Sequence, residues 1–176
     1  IGVAERFGGP GGSPAAVARA IEQVAGACGA TAMIYTMHLV AVQTLQACTQ
    51  DEDGPLADTL RAIAAGEHLT TIAFSEAGTR SHFWAQLSTA TSDGNTITID
   101  ADKSWVTAAA HADSYVTAVR APGATDPLVT ELYLVDAGSP GIEIRGLFDG
   151  LGMRGNGSSP VRFNGVEVDL DRRLGD

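Results

Sequence analysis

Two patterns in the chain combine residue types that could do chemistry on their own. Residues 150–155 match the dinucleotide fingerprint G-x-G-x-x-G, which requires a strand before the glycine turn and a helix after it to receive a pyrophosphate. The sequence Asn-Gly-Ser-Ser-Pro at 156–160 cannot open such a helix, so a β-turn is the better interpretation. Ser75, His82 and Asp113 could form a hydrolase triad, but no G-x-S-x-G elbow or equivalent turn surrounds any serine. The sequence therefore favours neither a Rossmann site nor a hydrolase site.

The histidines and cysteines do not suggest a metal site. None of them has the spacing typical of metal ligands: His38, His68, His82, His111, Cys28 and Cys48. Both cysteines fall in a predicted helical region, so we interpret them as small buried hydrophobic residues in a reducing compartment. We therefore expect no bound metal and a cytoplasmic location.

The composition limits the class of protein. Apolar residues make up 44% and charged residues 18%, which is typical of a globular chain rather than a disordered one or a membrane span. The formal net charge of -10 repels a phosphate backbone, and the sequence has no local basic patch, so nucleic acid is not an expected partner. A chain of 176 residues is long enough to bury one sizeable core or two small ones.

The first part of the chain is predicted to be helical. Ser13 followed by Pro14 is typical of an N-cap and the first helical position. Apolar residues then recur at helical spacing, and two further runs predict helices at 32–45 and 56–65. Residues 1–69 are therefore predicted to form an incomplete N-terminal helical domain.

From Thr70 onward the apolar residues alternate with polar ones at the two-residue period of strands. The clearest strand runs are 96–99, 115–119, 129–135, 142–144 and 161–168. Turn residues separate these short runs, as a small antiparallel barrel or sandwich requires. The predicted fold class is α+β, with an N-terminal helical segment followed by an antiparallel β-barrel-like domain at 70–176.

Four segments, taken in order, resemble the acyl-CoA dehydrogenase family. Residues 72–82 resemble that family's A-x-T-E-P-x-A-G-S-D loop, and residues 103–107 with Ala-Asp at 112–113 are similar to its K-x-W-I-T-N segment. Residues 150–168 resemble its G-x-R-G turn and the strand that follows, and residues 2–9 resemble its G-V-P-E-x-Y-G-G segment. Since the segments also agree with the predicted change from helix to strand, the resemblance covers nearly the whole chain. It indicates that family's N-terminal helical part and middle β-domain, without its C-terminal helical domain.

The resemblance implies a flavoprotein that binds FAD. The residues that it assigns to the cofactor are Ile72, Phe74, Ser75, Gly78, Thr79, Ser81, Trp105, Val106 and Thr107. Trp105 is expected to pack beside the isoalloxazine ring, Thr107 to bond near N5 and O4, and Ser75 to meet the pyrimidine side. Ser81, with the backbone amides of residues 78–81, is expected beside the pyrophosphate and the pantetheine arm of CoA, so it is also the expected substrate-binding residue.

The implied activity is FAD-dependent α,β-dehydrogenation of an acyl-CoA thioester, in fatty-acid and lipid metabolism. In the family a glutamate of the C-terminal four-helix domain takes the α-proton, and no residue here matches it. We therefore expect no catalytic base in this chain and no turnover by these residues alone. Glu76 coincides with the family's loop glutamate, which is not the base, and Glu67 lies at a predicted helix end. The implied partners are an acyl-CoA substrate, an electron-transfer acceptor, and further copies of the chain in a dimer or homotetramer.

Two alternative functions stay open on the same resemblance. One is a noncatalytic binding or partner subunit with a degenerate flavin site, and the other is a flavin monooxygenase or oxidase on the same fold. The loop departs from the family pattern at Ala77, Arg80 and His82, where the family has Pro, Gly and Asp. We expect the Arg80 side chain to point outward, because exposed arginines are common and backbone amides already serve the phosphate.

Overall fold

The computed structural model describes residues 1–80, 82–146 and 148–175, and within these ranges three α-helices precede eight β-strands. The helices are α1 (Pro14–Ala27), α2 (Gly29–Cys48) and α3 (Pro55–Ala65). The strands are β1 (Thr70–Ala73), β2 (Thr89–Asp93), β3 (Thr96–Val106), β4 (Ser114–Arg120), β5 (Thr130–Asp136), β6 (Ile142–Ile144), β7 (Ser159–Asp169) and β8 (Arg173–Leu174). Short 3-10 turns occur at Glu5–Phe7, Arg154–Asn156 and Leu170–Arg172.

The helix ends follow from local chemistry. The Ser13 hydroxyl accepts a hydrogen bond from the Ala16 amide at 3.2 Å, and Pro14 occupies the first helical position, so α1 begins where the sequence predicts. α3 ends at Gly66, whose φ of 79° lies in the left-handed region that favours glycine. A single extended residue, Cys28, separates α1 from α2.

The prediction that both cysteines are buried is wrong for Cys28. This residue is exposed, because its extended backbone ends α1 and caps α2 at a corner of the helical layer. Hydrogen bonds from Thr31 and Ala30 lower the pKa of its thiol. Cys48, at the end of α2, is partly buried. The burial argument for a reducing compartment therefore does not extend to Cys28.

Two four-stranded sheets form the second part of the chain. Their strand orders are β1-β4-β5-β8 and β2-β3-β7-β6. Neighbouring strands are antiparallel except β1 and β4, which run parallel with Thr70 opposite Ser114. A parallel pair needs a long connection, and residues 74–113 supply it because they first form β2 and β3 in the other sheet.

Two apolar cores lie on either side of the first sheet. Tyr115 and Val119 of β4 belong to the core between the two sheets, together with Phe163 of β7. Val116 of the same strand belongs to the core beneath the helices, together with Leu45 of α2. β4 is therefore buried on both faces, which explains why nearly every residue in it is inaccessible to solvent.

The predicted α+β fold class is confirmed, because helices form the first part of the chain and sheets with mainly antiparallel neighbours form the second. The parallel pairing of β1 with β4 differs from the prediction, since sequence periodicity reports burial but not strand direction. The fingerprint segment at 150–155 opens only the 3-10 turn Arg154–Asn156, which cannot serve as a pyrophosphate-binding helix.

Two histidines join the helices to the first sheet. His38 of α2 places its Nδ1 atom 3.3 Å from the amide nitrogen of Thr70, which donates to it, and 3.0 Å from the Thr70 carbonyl oxygen. His68 places its Nε2 atom 2.8 Å from the Ser114 hydroxyl. Burial lowers the pKa of both imidazoles, and Asp113 opposes this effect at His68. At His38 the hydrogen bond with the Thr70 backbone also opposes the effect of burial, but the net shift of the pKa is downward for both histidines, so burial favours their neutral form.

We predict that the protein loses stability as the pH falls below about 6.5, the ordinary pKa of histidine. A histidine whose pKa is lowered on folding contributes stability that is present above this value and is lost as the pH falls through the folded pKa. Urea unfolding at pH 7.5, 6.0 and 5.0 measures the loss. The combined substitution His38→Asn and His68→Gln should flatten the profile, whereas His111→Gln, at an exposed histidine, should leave it unchanged. An equally steep acid loss in the double variant would contradict the assignment.

Candidate functional site

The structure brings together two of the segments that the sequence assigns to a flavin. We call residues 74–79 and 103–107 the β1–β3 junction. The Ser104 amide donates a hydrogen bond to the Ser75 carbonyl at 2.9 Å, and the backbones of Glu76 and Lys103 form an isolated antiparallel bridge. The loop that leaves β1 and the end of β3 therefore lie side by side, although 27 residues separate Glu76 from Lys103 in sequence.

The predicted cofactor residues differ in exposure. Ser75, Gly78 and Trp105 are exposed, whereas Thr79, Val106 and Thr107 are buried. Ile72 and Phe74 are half-buried and pack against the core beneath the helices. Ser81, the predicted contact to both cofactor and substrate, lies outside the described residues. Only the exposed members of this set can present side chains to a ligand in this conformation, while the buried ones can act through their backbone.

Trp105 is the most unusual of these residues. Trp105 is 55% exposed, and its backbone φ of 57° lies in the left-handed region. A non-glycine residue in this region costs about 1–3 kcal/mol and persists only where its neighbours fix it. Lys103, two residues before Trp105, and Val106, directly after it, are each 2% exposed, and one extra residue between these two forms a bulge against β7. The bulge turns the indole out of the core and toward solvent.

A second aromatic ring extends the exposed surface at Trp105. The ring of Phe148 meets the indole edge-on, with 5.5 Å between the ring centroids and 73° between the planes. Such a pair offers a wall against which a planar ring can pack. The sequence contained no signal for this contact, because 43 positions separate the two residues and Phe148 lies in a loop.

Thr107 lies in the turn that follows β3. Its hydroxyl is 3.3 Å from the Ser158 hydroxyl, and both residues are buried. The amide of Ala108 donates to the Asn156 carbonyl at 3.0 Å, and the Asn156 side chain accepts from the Ser158 amide at 2.8 Å. The segment after the glycine-rich turn therefore supports the residues after Trp105, a structural role that the fingerprint pattern did not indicate.

A buried ion pair lies directly beneath this surface. The Lys103 ammonium is 2.7 Å from the Glu76 carboxylate, and the two side chains are 0% and 1% exposed. Glu76 also accepts hydrogen bonds from the amides of Leu87 and Ser88. Because both charges are removed from water, the pair depends on these hydrogen bonds as much as on attraction between the charges.

The ionisation of this pair follows from its burial. Burial lowers the pKa of Lys103 to about 8, against the attraction of Glu76. Burial also opposes the charge on Glu76, but Lys103 and the hydrogen bonds from Ser88 and Leu87 hold the pKa of this carboxyl below its ordinary value. Both groups are therefore charged at pH 7, and Glu76 has no free proton-accepting role toward a ligand.

The burial of Lys103 could have been predicted from the sequence, from the two-residue period of the strand that contains it. Ile97, Ile99 and Ala101 face the core at the two-residue period of β3, and the same period places Lys103 inside. A lysine at an inward position requires a buried partner. Glu76 could not be identified as that partner in the same way, because it lies in a loop without periodicity.

The loop beyond the β1–β3 junction holds the residues that depart from the family pattern. Arg80 is exposed and has a φ of 51°, and His82 is exposed with its ring centroid 5.1 Å from that of Trp84. The Thr79 amide, expected near a pyrophosphate, donates to the Glu76 carbonyl at 3.4 Å. The exposure of Arg80 agrees with the expected outward side chain, while contact of Thr79 with a cofactor stays a prediction.

The described residues contain neither a cluster of metal ligands nor a membrane-spanning helix. Among them, no group of three or more His, Cys, Asp or Glu side chains is arranged to hold a metal ion. No helix within the same ranges has the length and apolar character to cross a membrane.

Comparison with known proteins identifies a family model and several relatives. Residues 71–166, more than half of the chain, match the model described as the acyl-CoA dehydrogenase middle domain. The chain is 28% identical over 175 residues to the probable acyl-CoA dehydrogenase YngJ of Bacillus subtilis, covering 98% of this chain and 45% of that protein. A crystal structure of a probable acyl-CoA dehydrogenase from Mycobacterium abscessus superimposes with a TM-score of 0.89 at 27% identity, covering 100% of this chain and 46% of that one.

The same fold occurs in a structure described as an FAD complex. The FAD complex of PigA superimposes with a TM-score of 0.87 at 21% identity, covering 99% of this chain and 46% of that one. At this identity the likeness concerns the fold alone. The chain spans about half the length of each of the three proteins compared.

We predict that removing one member of the buried ion pair destabilises the protein far more than replacing both members with neutral residues. Lys103→Met leaves the Glu76 carboxylate buried without a cation and should cost about 3–5 kcal/mol of unfolding free energy. The double substitution Glu76→Gln with Lys103→Met removes both charges and should recover most of that loss. Urea unfolding of the variants measures both values.

A matched control is available on α3. Arg61 and Asp58 form an ion pair of 2.8 Å whose side chains are 42% and 73% exposed, so Asp58→Asn should change the unfolding free energy by about 0.5 kcal/mol or less. A Lys103→Met variant as stable as this control would mean that the buried pair contributes no more than a surface pair.

Proposed function

The chain belongs to the acyl-CoA dehydrogenase family, and from this premise we propose that it forms the flavin-binding face of an FAD-dependent enzyme that dehydrogenates acyl-CoA thioesters at the α and β carbons. The observation that carries the proposal is Trp105, an exposed tryptophan held in a left-handed conformation beside the loop that leaves β1. A strained, exposed aromatic residue inside the matched region is typical of a binding surface rather than of a core.

The residues of the β1–β3 junction suit an isoalloxazine ring. Trp105 and Phe148 offer the aromatic wall, and the backbone after Trp105 enters a turn where an amide can meet the flavin N5 and O4 positions. The Ser75 carbonyl accepts a hydrogen bond from the Ser104 amide at 2.9 Å. The side chain of Ser75 is exposed, so its hydroxyl can bond to the pyrimidine edge of the flavin. Bound FAD supplies the two-electron acceptor that a dehydrogenation requires.

The proton at the α carbon needs a base that we place outside these residues. Glu76 is buried, paired with Lys103 and hydrogen-bonded to two amides, so it cannot approach a substrate. Glu67 is exposed beyond the end of α3, next to Gly66. Residues 1–176 alone should therefore show no acyl-CoA turnover, as the expected effect of a missing general base.

Several parts of the proposal concern the complete protein. We propose an acyl-CoA substrate, an electron-transfer acceptor that reoxidises the flavin, a dimeric or tetrameric assembly, and a cytoplasmic role in fatty-acid metabolism. The family membership and the FAD complex of a protein with the same fold support the flavin. Anaerobic addition of a series of acyl-CoA thioesters to the full-length protein tests the activity, since a substrate should reduce the flavin and bleach the visible absorption of its oxidised form.

The outcome of this test also separates the alternatives. Bleaching by an acyl-CoA followed by slow reoxidation in air supports a dehydrogenase, and rapid reoxidation with peroxide release supports an oxidase. A protein that binds FAD but is bleached by no thioester would be a binding subunit or a flavoprotein with another substrate. A protein purified without flavin that also fails to bind added FAD would contradict the proposal.

We predict that Trp105→Ala in the full-length protein weakens FAD retention and alters the visible flavin spectrum. An aromatic contact contributes roughly 0.5–1.5 kcal/mol beyond its buried area, which corresponds to an increase of about two- to twelvefold in the FAD dissociation constant. Trp84→Ala removes the other tryptophan, which is similarly exposed at 53% and has no assigned flavin role, and should leave both unchanged. Unchanged FAD occupancy and absorbance in Trp105→Ala would exclude the indole from the flavin surface.

We predict that Arg80→Gly leaves FAD and acyl-CoA affinities nearly unchanged and slightly stabilises the protein. The φ of 51° at this position suits glycine, so the substitution relieves backbone strain of about 1 kcal/mol. Isothermal titration and thermal unfolding of the full-length protein measure the two effects. A loss of affinity of about tenfold or more that disappears at high salt would instead make Arg80 a phosphate-binding residue.

A further inference from the structure

We propose that Glu76, Lys103 and Gln86 are positioning residues for the flavin, which fix the two segments of the β1–β3 junction relative to each other. The inference rests on the proposed function, because it concerns how the flavin surface is held. All three side chains are buried, so they do not touch a ligand themselves. Their effect passes through the backbone to two exposed residues: Ser75, which directly precedes Glu76, and Trp105, which lies two residues after Lys103.

The Lys103 ammonium joins three separate parts of the fold. An ammonium group has three hydrogen-bond donors, and here each finds a buried acceptor. Nζ lies 2.7 Å from Glu76 Oε1 and 2.8 Å from Gln86 Oε1, and it also donates to the Ala118 carbonyl of β4. Displacement of the loop at Glu76, the loop at Gln86 or the end of β3 therefore breaks a charge-assisted hydrogen bond.

Gln86 extends the connection to the base of the loop. Its side-chain amide donates to the Phe74 carbonyl at 3.2 Å and to the Phe83 carbonyl. Its backbone amide donates to the Pro127 carbonyl at 2.9 Å. Both ends of the loop between Phe74 and Gln86 are thus held by one side chain, which is itself 0% exposed.

The anchor at Lys103 is what keeps Trp105 in its left-handed conformation. Trp105 has no buried contact surface large enough to hold it alone, since it is 55% exposed. The residues that fix it are Lys103, through its ammonium, and Val106, through the core between the sheets. If Lys103 loses its hydrogen bonds, the bulge between Lys103 and Val106 can relax toward a regular strand. The indole of Trp105 would then no longer point in its present direction.

A neutral pair at positions 76 and 103 can preserve the stability of the protein. A positioning role can therefore be tested separately from a merely structural one. Neutral residues of similar volume can replace a buried ion pair without loss of stability, but they cannot reproduce the three directed hydrogen bonds of an ammonium. The double substitution Glu76→Gln with Lys103→Met should therefore yield a folded protein whose flavin surface is no longer fixed.

The experiment compares FAD binding and thermal stability in the full-length protein. In the double variant we expect an unfolding midpoint close to that of the unsubstituted protein, an FAD dissociation constant raised at least about tenfold, and a shifted flavin absorption band. Asp58→Asn with Arg61→Met neutralises the exposed pair on α3 and is the matched control, with no change expected in either quantity. If the double variant does not fold, the same measurements on Gln86→Met test the inference. This variant keeps the ion pair between Glu76 and Lys103 and removes only the hydrogen bonds of the Gln86 side-chain amide.

The outcomes separate this inference from the proposed function. An unsubstituted protein that binds no FAD contradicts the proposed function itself. An unsubstituted protein that binds FAD, together with folded double and Gln86→Met variants of the same FAD affinity and spectrum, overturns the positioning role alone. Weakening of FAD binding only in proportion to the loss of thermal stability also overturns it, because general destabilisation then accounts for the effect.

Discussion

A buried ammonium with all three donors engaged is the constraint on which the rest of this surface depends. Lys103 cannot leave its position without exposing the Glu76 carboxylate to an apolar core, and Glu76 cannot leave without releasing two backbone amides. The penalty for an unpaired buried charge is several kcal/mol, a large share of the stability of a domain of this size. The loop after β1 and the end of β3 are therefore fixed to each other before any ligand arrives.

The exposed part of the site depends on this fixed base. Trp105 can occupy an unfavourable backbone region because Lys103, two residues before it, and Val106, directly after it, are buried, and Phe148 then meets the outward-facing indole. A surface prepared in this way loses little conformational entropy on binding, which favours affinity for a rigid planar ring. The helices contribute indirectly, since they cover the opposite face of the sheet that contains β1 and β4.

The sequence predicted the fold class well because each signal was local. The N-cap at Ser13, the glycine after α3 and the two-residue period of β3 all depend on neighbouring residues, and the structure agrees with them. Three features depended on distant residues and were not predicted: the parallel pairing of β1, the partner of Lys103 and the contact between Trp105 and Phe148. The family resemblance pointed to the two segments that we propose contact the flavin, but only the structure shows what holds these segments together.

The most direct test of this account is a crystal structure of the full-length protein with FAD bound. We predict that the isoalloxazine ring lies against Trp105, that the turn after β3 donates a hydrogen bond to its N5 or O4 edge, and that the Lys103 ammonium stays 2.7 Å from the Glu76 carboxylate. A flavin bound away from the β1–β3 junction would contradict the account. So would a Trp105 that adopts a regular strand conformation while the flavin is bound.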